Sequence, residues 1–255
     1  VRFRTYITSY SSGPRYFTID NFKLGYLTVG FWSFEGNLED ISGSGNDATA
    51  GGSDAISYSR SGVAFANGAN SSCQYIDFTG NNYLSVADTA SRELTDQYSV
   101  SAWVYPHADE STGNHYSSKK SIVSKDQNFD ISLENGQVVW QWNDGANELT
   151  SASTLPLEQW THVAVTFAQG EQIIYINGTA DASSANSDAV SASSYPIYVA
   201  TAANSSSGAV QSSRNFDGLI DEVRVYEVAQ SQSEIDEDMQ TVRECASLIS
   251  HILIE

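Results

Sequence analysis

The chain has 255 residues and a formal net charge of −19, from 12 basic and 31 acidic side chains. Such a negative field repels phosphate backbones and anionic lipid surfaces, which argues against nucleic acid and membranes as partners. The sequence has no run approaching the ~18 apolar residues of a membrane helix, whereas its 40% hydrophobic content is enough for a buried core. The composition indicates a secreted β protein, and the acidic balance favours cation binding.

Short apolar runs broken by Gly, Asn, Asp and Ser predict β-strands along almost the whole chain. Residues 1–25 are interpreted as closing strands of a preceding β domain or an N-terminal extension, residues 26–246 as the main domain, and residues 247–255 as a linker or the start of another domain. Within residues 26–246, strands are predicted at Leu27–Phe34, Val63–Phe65, Ile76–Phe78, Tyr83–Val86, Tyr98–Tyr105, Ser121–Lys125, Phe129–Leu133, Val138–Asn143, Trp160–Gln169, Glu171–Ile176, Ile197–Ala200 and Leu219–Tyr226.

Turns and one helix complete the pattern. Asn135-Gly136 and Asn177-Gly178 are strong hairpin signals, and the Ser/Ala-rich stretch Ala182–Ser194 is predicted to be a loop. A short helix is predicted from Ser231 to about Glu244, with Ser231 or Ser233 as the residue that caps its N-terminus. About a dozen strands with one short helix predict an all-β sandwich of two antiparallel sheets.

Seven motifs, taken in order, resemble the laminin-G/pentraxin group of concanavalin A-like jelly rolls. They are Phe31-Trp32-Ser33-Phe34-Glu35, the loop Asp40–Ala48, Tyr98–Pro106, Ile122–Asp126, Trp160–Phe167, Tyr175-Ile176-Asn177-Gly178 and Phe216–Tyr226. The resemblance implies a two-sheet antiparallel jelly-roll sandwich with a short C-terminal helix. This fold carries lectins, adhesins and hydrolases, so the motifs alone do not fix the function.

A narrower resemblance concerns the stretch around the first cysteine. Cys73 precedes a strand similar to those in laminin-G-like domains of MshQ-type proteins, which belong to mannose-sensitive haemagglutinin pilus systems of Gram-negative bacteria; the matching residues are Phe78, Gly80, Tyr83, Leu84 and Val86. This similarity implies an extracellular or pilus-associated adhesive module, with pilus or surface-assembly proteins as possible partners.

The two cysteines lie far apart in sequence, at Cys73 and Cys245. In an oxidising compartment they would pair and tie the C-terminus to the body of the domain. The alternative is two buried thiols. We predict the disulfide.

A structural calcium ion is implied by the resemblance, because in this group such an ion often bridges the first loop and the last strand. Carried over, Glu35 and Asp221 would be side-chain ligands, with loop carbonyls near Ala50 adding oxygens. Ca²⁺ takes 6–8 oxygen ligands at irregular geometry, which a Gly/Asn-rich loop can offer. Alternatively, Asp221 caps a strand end or pairs with Arg224, and Glu35 is solvated.

A carbohydrate site is the second candidate. Trp140 and Trp142 lie two residues apart on one strand and therefore share a sheet face. Aromatic faces stack on sugar C–H surfaces, and nearby polar groups can read hydroxyls; those groups are Asn143, Asp144, Asp126, Gln127 and Asn128. Alternatively, both Trp residues belong to the core, as is expected of Trp103 and Trp160.

Catalysis is the third candidate. The run Glu234–Asp238 superficially resembles the acidic motif of family 16 glucanases, which need carboxylates on a strand facing a cleft. Here the run opens a predicted helix, with Ile235 as its anchor to the body. We therefore predict a non-catalytic extracellular adhesion or carbohydrate-binding module of a bacterial surface protein. The alternatives are a structural spacer in a long surface protein and a polysaccharide hydrolase.

Overall fold

A computed structural model describes residues 28–59, 73–88, 94–108 and 119–241. Within these ranges lie fifteen strands, arranged in two antiparallel sheets, and one α-helix. The predicted strand Val63–Phe65, Cys245 and both predicted domain boundaries, near residues 25 and 246, lie outside the described residues. The two boundaries stay predictions.

Every strand of the two sheets pairs antiparallel with its neighbours. The eight-stranded sheet runs β13 (Thr179–Ser184), β12 (Glu171–Ile176), β11 (Thr161–Ala168), β6 (Gln97–Pro106), β15 (Asp217–Tyr226), β4 (Tyr75–Thr79) and β3 (Ser57–Ser59), and β1 (Thr28–Trp32) also pairs with β15. The seven-stranded sheet runs β10 (Asn147–Thr154), β9 (Gln137–Trp142), β8 (Phe129–Glu134), β7 (Lys120–Lys125), β14 (Ile197–Val199), β5 (Asn82–Val86) and β2 (Thr49–Gly52). The predicted two-sheet jelly-roll sandwich is confirmed.

The hydrophobic core fills the space between the sheets, because alternate side chains of each strand point to the same face. In β6 the inward positions are Tyr98, Val100, Ala102 and Val104, and all four are buried in one cluster with residues of the facing sheet. Opening strand β1 lies beside closing strand β15, with Trp32 opposite Val223. The first and last motifs of the sequence therefore meet, as the resemblance implies.

Strands with alternating apolar residues match their predictions closely, whereas polar strands differ. The loop prediction is wrong for Ala182–Ser184, which belongs to β13. Its Ser/Ala composition has weak strand propensity, but Asn177 and Gly178 both have positive φ and turn the chain back onto β12. The paired neighbour supplies the hydrogen bonds that stabilise this segment as a strand.

One helix, α1 (Gln232–Gln240), covers part of the outer face of the eight-stranded sheet. Its first turn forms a capping box, in which the Ser231 amide donates to Glu234 Oε2 at 2.7 Å. Ile235 is fully buried against Ala164 and Tyr175, as predicted for the anchor. The helix ends about four residues before the predicted end near Glu244.

A buried arginine connects β15 to the end of this helix. Arg224 Nη1 donates to the Asp238 carbonyl at 2.7 Å, and Nη2 donates to Glu222 Oε2 at 2.7 Å. Its guanidinium lies 4.2 Å from the centre of the Phe31 ring. Because helix C-termini carry partial negative charge, a cation at this place stabilises the helix as well as the carboxylate.

The row of cross-strand neighbours under the helix contains a buried histidine. His162 on β11 pairs with Trp103 on β6, which pairs with Asp221 on β15. The imidazole makes an edge contact with the Trp103 ring, with 5.3 Å between ring centres. Burial and, to a smaller extent, the positive charge of Arg224 together lower the pKa of His162 to about 3. The histidine is therefore a neutral, structural side chain.

Acid sensitivity is expected from His162. Its pKa is depressed in the folded state relative to about 6.5 in the unfolded chain, so its stabilising contribution is complete above pH 6.5 and is lost as pH falls towards 3. At pH 5 the loss amounts to about 2 kcal/mol. Urea unfolding at pH 7.5 and pH 5 should show a smaller pH difference for His162→Phe than for the wild type. The exposed His107→Gln is the control, and an unchanged pH difference in His162→Phe would contradict this account.

Candidate functional site

Both predicted sugar-stacking rings lie in the core. Trp140 and Trp142 are 0% and 1% exposed, and their ring centres are 5.1 Å apart. Trp142 also makes an edge contact with Phe167 of the opposite sheet, at 6.2 Å between ring centres. Their shared face is the inner face of β9, which corrects the expectation that they stack on a sugar. Trp103 and Trp160 are buried, as predicted.

The other predicted ligand residues lie in two neighbouring turns. Asp126 and Asn128 belong to the turn between β7 and β8, and Asn143 follows β9 in the next turn. The amides of Asn143 and Asp144 donate to the carbonyls of Asn128 and Gln127, at 3.2 and 3.0 Å. Gln127, Asn143 and Asp144 all have positive φ, which bends both turns tightly. The structure therefore brings these predicted residues together.

Between these turns and the adjacent strand ends is a small, open recess. We call it the turn recess. Its lining residues are Asp126, Gln127, Asn128, Phe129, Asp130, Gln141, Trp142, Asp144 and Gly145. Asp130 on β8 and Gln141 on β9 are directly opposite each other on the outer face of the seven-stranded sheet. Six of the nine lining residues are polar or charged.

Several polar groups hold the two turns in place. Asn128 is buried, and its Nδ2 donates to the carbonyls of Leu94 and Ser191 at 3.1 and 2.8 Å. The hydroxyl of Ser191 donates to Asn143 Oδ1, and the hydroxyl of Ser193 donates to the Asp126 carbonyl. The segment around Ser191–Ser193 thus fixes both turns, so the turn recess has a defined shape before any ligand binds.

The turn recess is acidic. The pKa of Asp126 is raised to about 6, mainly by burial and also by the carboxylates of Asp144 and Asp130, while the Gln127 amide and Arg214 act to lower it. Arg214 is itself buried, and its Nη2 donates to Asp130 Oδ2 and to the Ser121 hydroxyl. Asp126 is therefore mostly ionised only above about pH 6.

The predicted calcium ligands lie where the first and last strands meet. Asp221 is buried on β15, and its Oδ1 accepts the Glu222 amide at 2.8 Å. Glu35 follows β1, and its Oε1 accepts the Cys73 amide at 3.0 Å. Ala50, by contrast, lies in β2 of the other sheet. No group of three or more acidic, His or Cys side chains suited to a metal occurs within the described ranges. A calcium ion here would therefore take most of its oxygens from backbone carbonyls.

Cys73 lies beside this region, through the hydrogen bond of its amide to Glu35. Its predicted partner, Cys245, is outside the described residues. The pairing of the two cysteines stays a prediction.

The acidic run Glu234–Asp238 is used by the helix. Glu234 accepts the Ser231 amide and hydroxyl in the capping box, and Asp238 Oδ2 accepts Gln230 Nε2 at 2.7 Å. These carboxylates lie on a helix rather than on a strand facing a cleft. Their arrangement matches the structural role predicted for them.

Sequence reasoning missed the two polar recess residues Asp130 and Gln141, and an aromatic pair on the outer face of the same sheet. Tyr83 and Tyr198 meet edge to face with 6.0 Å between ring centres. The sequence pattern could have identified all of them, because each lies between core residues on its strand and must therefore point to the outer face. Once Trp140 and Trp142 are assigned to the core, Gln141 must point outwards.

Comparison with known families and structures places the fold. A family model described as the concanavalin A-like lectin/glucanases superfamily matches residues 78–236. Domain 4 of AbnA, a family 43 extracellular arabinanase from Geobacillus stearothermophilus solved with arabinotriose, is 23% identical with a TM-score of 0.64, over 84% of this chain and 99% of that one. No curated protein sequence matched the chain.

Toxin binding domains share the fold. The binding domain of Paraclostridial Mosquitocidal Protein 1 is 17% identical with a TM-score of 0.62, over 84% of this chain and 52% of that one. The ligand-binding domain of botulinum neurotoxin serotype D, solved with N-acetylneuraminic acid, is 16% identical with a TM-score of 0.57, over 83% and 50%. The chain thus spans about half the length of these toxin domains. The helix that the structure describes lacks the length and apolarity of a membrane span.

Proposed function

Since the chain belongs to the concanavalin A-like lectin/glucanases superfamily, we propose that it is a non-catalytic binding module that recognises a carbohydrate through the turn recess. The observation that carries this proposal is the convergence of Asp126, Asp130, Gln141 and Asp144 on one pre-shaped recess at the outer face of a sheet. Carboxylate and amide oxygens fixed by the fold can read the hydroxyl pattern of a sugar at little ordering cost.

Similar structures support a binding role. The arabinanase domain was solved with arabinotriose, and toxin domains of the same fold were solved with N-acetylneuraminic acid and with rat synaptotagmin II. The use of the Glu234–Asp238 run in helix capping supports a role without catalysis. A secreted or cell-surface location fits the acidic composition. Membership of the MshQ-type group, and pilus or surface-assembly partners, belong to the same proposal.

A glycan array read with the whole chain tests the function. Asp144 is exposed at the rim of the turn recess, and Asp144→Lys would extend an ammonium group across it. We expect wild-type binding to at least one glycan, and at least a tenfold loss with Asp144→Lys. The matched control is Glu158→Lys, because Glu158 is also an exposed acid with positive φ but does not line the recess.

Other outcomes would separate the alternatives. If the chain binds no glycan on the array, the proposal is wrong and a role as a structural spacer is favoured. Equal losses in Asp144→Lys and Glu158→Lys would show a non-specific charge effect and would also overturn it. Release of reducing sugars that disappears in Glu234→Gln would indicate the hydrolase instead.

A structural calcium ion between Glu35 and Asp221 is the cofactor we propose. Bound at 100 times its Kd, it would add about 2.7 kcal/mol to the free energy of unfolding. Chelation should therefore lower the Tm of the wild type by several degrees, with little effect on Glu35→Gln. A wild-type Tm that is unchanged by chelator would contradict this prediction.

A further inference from the structure

The turn recess has an excess of hydrogen-bond acceptors. Asp126 Oδ2, Asn128 Oδ1 and Gln141 Oε1 are buried, and none has a hydrogen-bond donor among the residues that the structure describes. All three residues line the recess, and they are only 5%, 0% and 9% exposed. A buried acceptor without a donor costs free energy that a ligand with suitable donors would recover.

The two amides cannot relieve this excess by turning over. Gln141 Nε2 donates to Glu148 Oε2 at 2.9 Å, so a flipped amide would place its oxygen against a carboxylate. Asn128 Nδ2 donates to two backbone carbonyls, which accept but cannot donate. The amide nitrogens are therefore committed to the protein, and the amide oxygens are left as acceptors. The ligand must supply the donors.

The charges point the same way. Three carboxylates, those of Asp126, Asp130 and Asp144, belong to the lining. Cations next to the lining residues are already paired, since Arg214 contacts Asp130, Lys125 Nζ lies 2.6 Å from Asp88 Oδ1, and Lys119 Nζ lies 2.6 Å from Glu148 Oε2. The net charge of the lining therefore repels an anionic ligand group, whereas a cation would compensate the negative charge of Asp126 and Asp144.

We propose that the group bound in the turn recess is the primary ammonium of an amino sugar. This inference rests on the proposed function and specifies the class of its ligand. An ammonium supplies three donors at one point, and sugar hydroxyls beside it supply others at a distance. Donors separated in this way match acceptors that lie on two separate segments, the turn at Asp126 and strand β9 at Gln141. A lysine side chain offers donors at its tip alone.

Binding should depend on pH through the carboxylates. Asp126 is ionised above about pH 6 in the free protein, and the groups acting on it are Asp144 from the second turn, Asp130 from β8 and Arg214. Tyr198 of β14 also faces it, and its pKa is raised, mainly by burial. Because only the ionised carboxylate attracts an ammonium, affinity should be at least twofold lower at pH 5 than at pH 7, even though an amino-sugar ammonium loses part of its own charge near pH 7.

The test compares short oligosaccharides of equal length, by calorimetry with the whole chain. The probes are β-1,4-glucosamine trimers, the fully N-acetylated trimers and galacturonate trimers. We expect the glucosamine trimer to bind at least tenfold more tightly than either of the others. Asp126→Asn should abolish this preference at pH 7, with the melting curve checking that the variant is folded.

A matched pair of variants removes the contribution of net charge. Asp144→Asn and Glu158→Gln each delete one exposed carboxylate at a residue with positive φ, and only the first lines the recess. Asp144→Asn should weaken glucosamine binding at least fivefold, and Glu158→Gln should leave it unchanged. Equal effects of the two variants would overturn the inference.

Failure of this inference can be told apart from failure of the binding function. If the N-acetylated trimer binds as tightly, and Asp144→Lys still blocks it, the recess is a sugar site without ammonium selectivity. If Nα-acetyl-lysine methylamide displaces the glucosamine trimer at equal concentration, the ligand is a cationic peptide and the amino-sugar assignment is overturned. If no saccharide binds, both the inference and the proposed function fall.

Discussion

Trp142→Ala is expected to lower the free energy of unfolding by about 3–5 kcal/mol, as for other large-to-small changes in a core. The ring is 1% exposed and contacts Trp140 and Phe167, so its removal leaves a cavity between the two sheets. Urea unfolding monitored by circular dichroism measures the loss. Trp142→Phe should lose less, because the cavity is smaller.

The matched control for Trp142 is the exposed apolar residue Leu157, which is 45% exposed. Leu157→Ala should change the free energy of unfolding by no more than about 0.5 kcal/mol. If Trp142→Ala lowers the free energy of unfolding by less than about 1 kcal/mol and also abolishes glycan binding, Trp142 is a sugar-stacking residue and its core role is wrong.

Arg224→Met is expected to be equally destabilising, by about 3–5 kcal/mol. Glu222 is fully buried, and its carboxylate lies 2.7 Å from the guanidinium. The variant therefore leaves this buried carboxylate without a compensating cation. The change also removes a charged donor from the carbonyl of Asp238 at the end of α1. Amide hydrogen exchange should therefore rise in the helix before the sheets are affected.

A second substitution separates the charge effect from lost packing. Glu222→Gln in the Arg224→Met background should recover part of the stability, because no buried charge remains. Lys120→Met is the control, since Lys120 is a half-buried cation on β7 whose Nζ donates to the Ser213 carbonyl, and its loss should stay below about 1 kcal/mol. An Arg224→Met loss as small as that of Lys120→Met would contradict the structural role of the buried pair.

The central strands of the fold could be predicted from sequence, and the polar edge strands could not. Strands β6 and β11 alternate apolar and polar residues, and each also carries a family motif. β10 and β13 consist mainly of Ser, Thr, Ala, Asn and Asp, and each is a largely exposed edge strand of its own sheet. Strand formation there depends on pairing with β9 and β12, which local propensity does not report.

The turn recess was predictable in its parts but not in its assembly. The sequence placed Asp126, Asn128 and Asn143 in polar segments near one another, and alternation put Trp140 and Gln141 on opposite faces of β9. It did not say which face was inner, because that depends on how the two sheets pack. In the structure the tryptophans lie on the inner face and belong to the core, whereas Gln141 lies on the outer face and lines the recess, which is the reverse of the expected roles.

The most direct test of the account is a crystal structure of the chain with a bound saccharide identified by the array. We expect ligand density in the turn recess, with donor atoms within hydrogen-bonding distance of Asp126 and Gln141. Density bound only beside α1, or only over the outer face of the eight-stranded sheet, would contradict it.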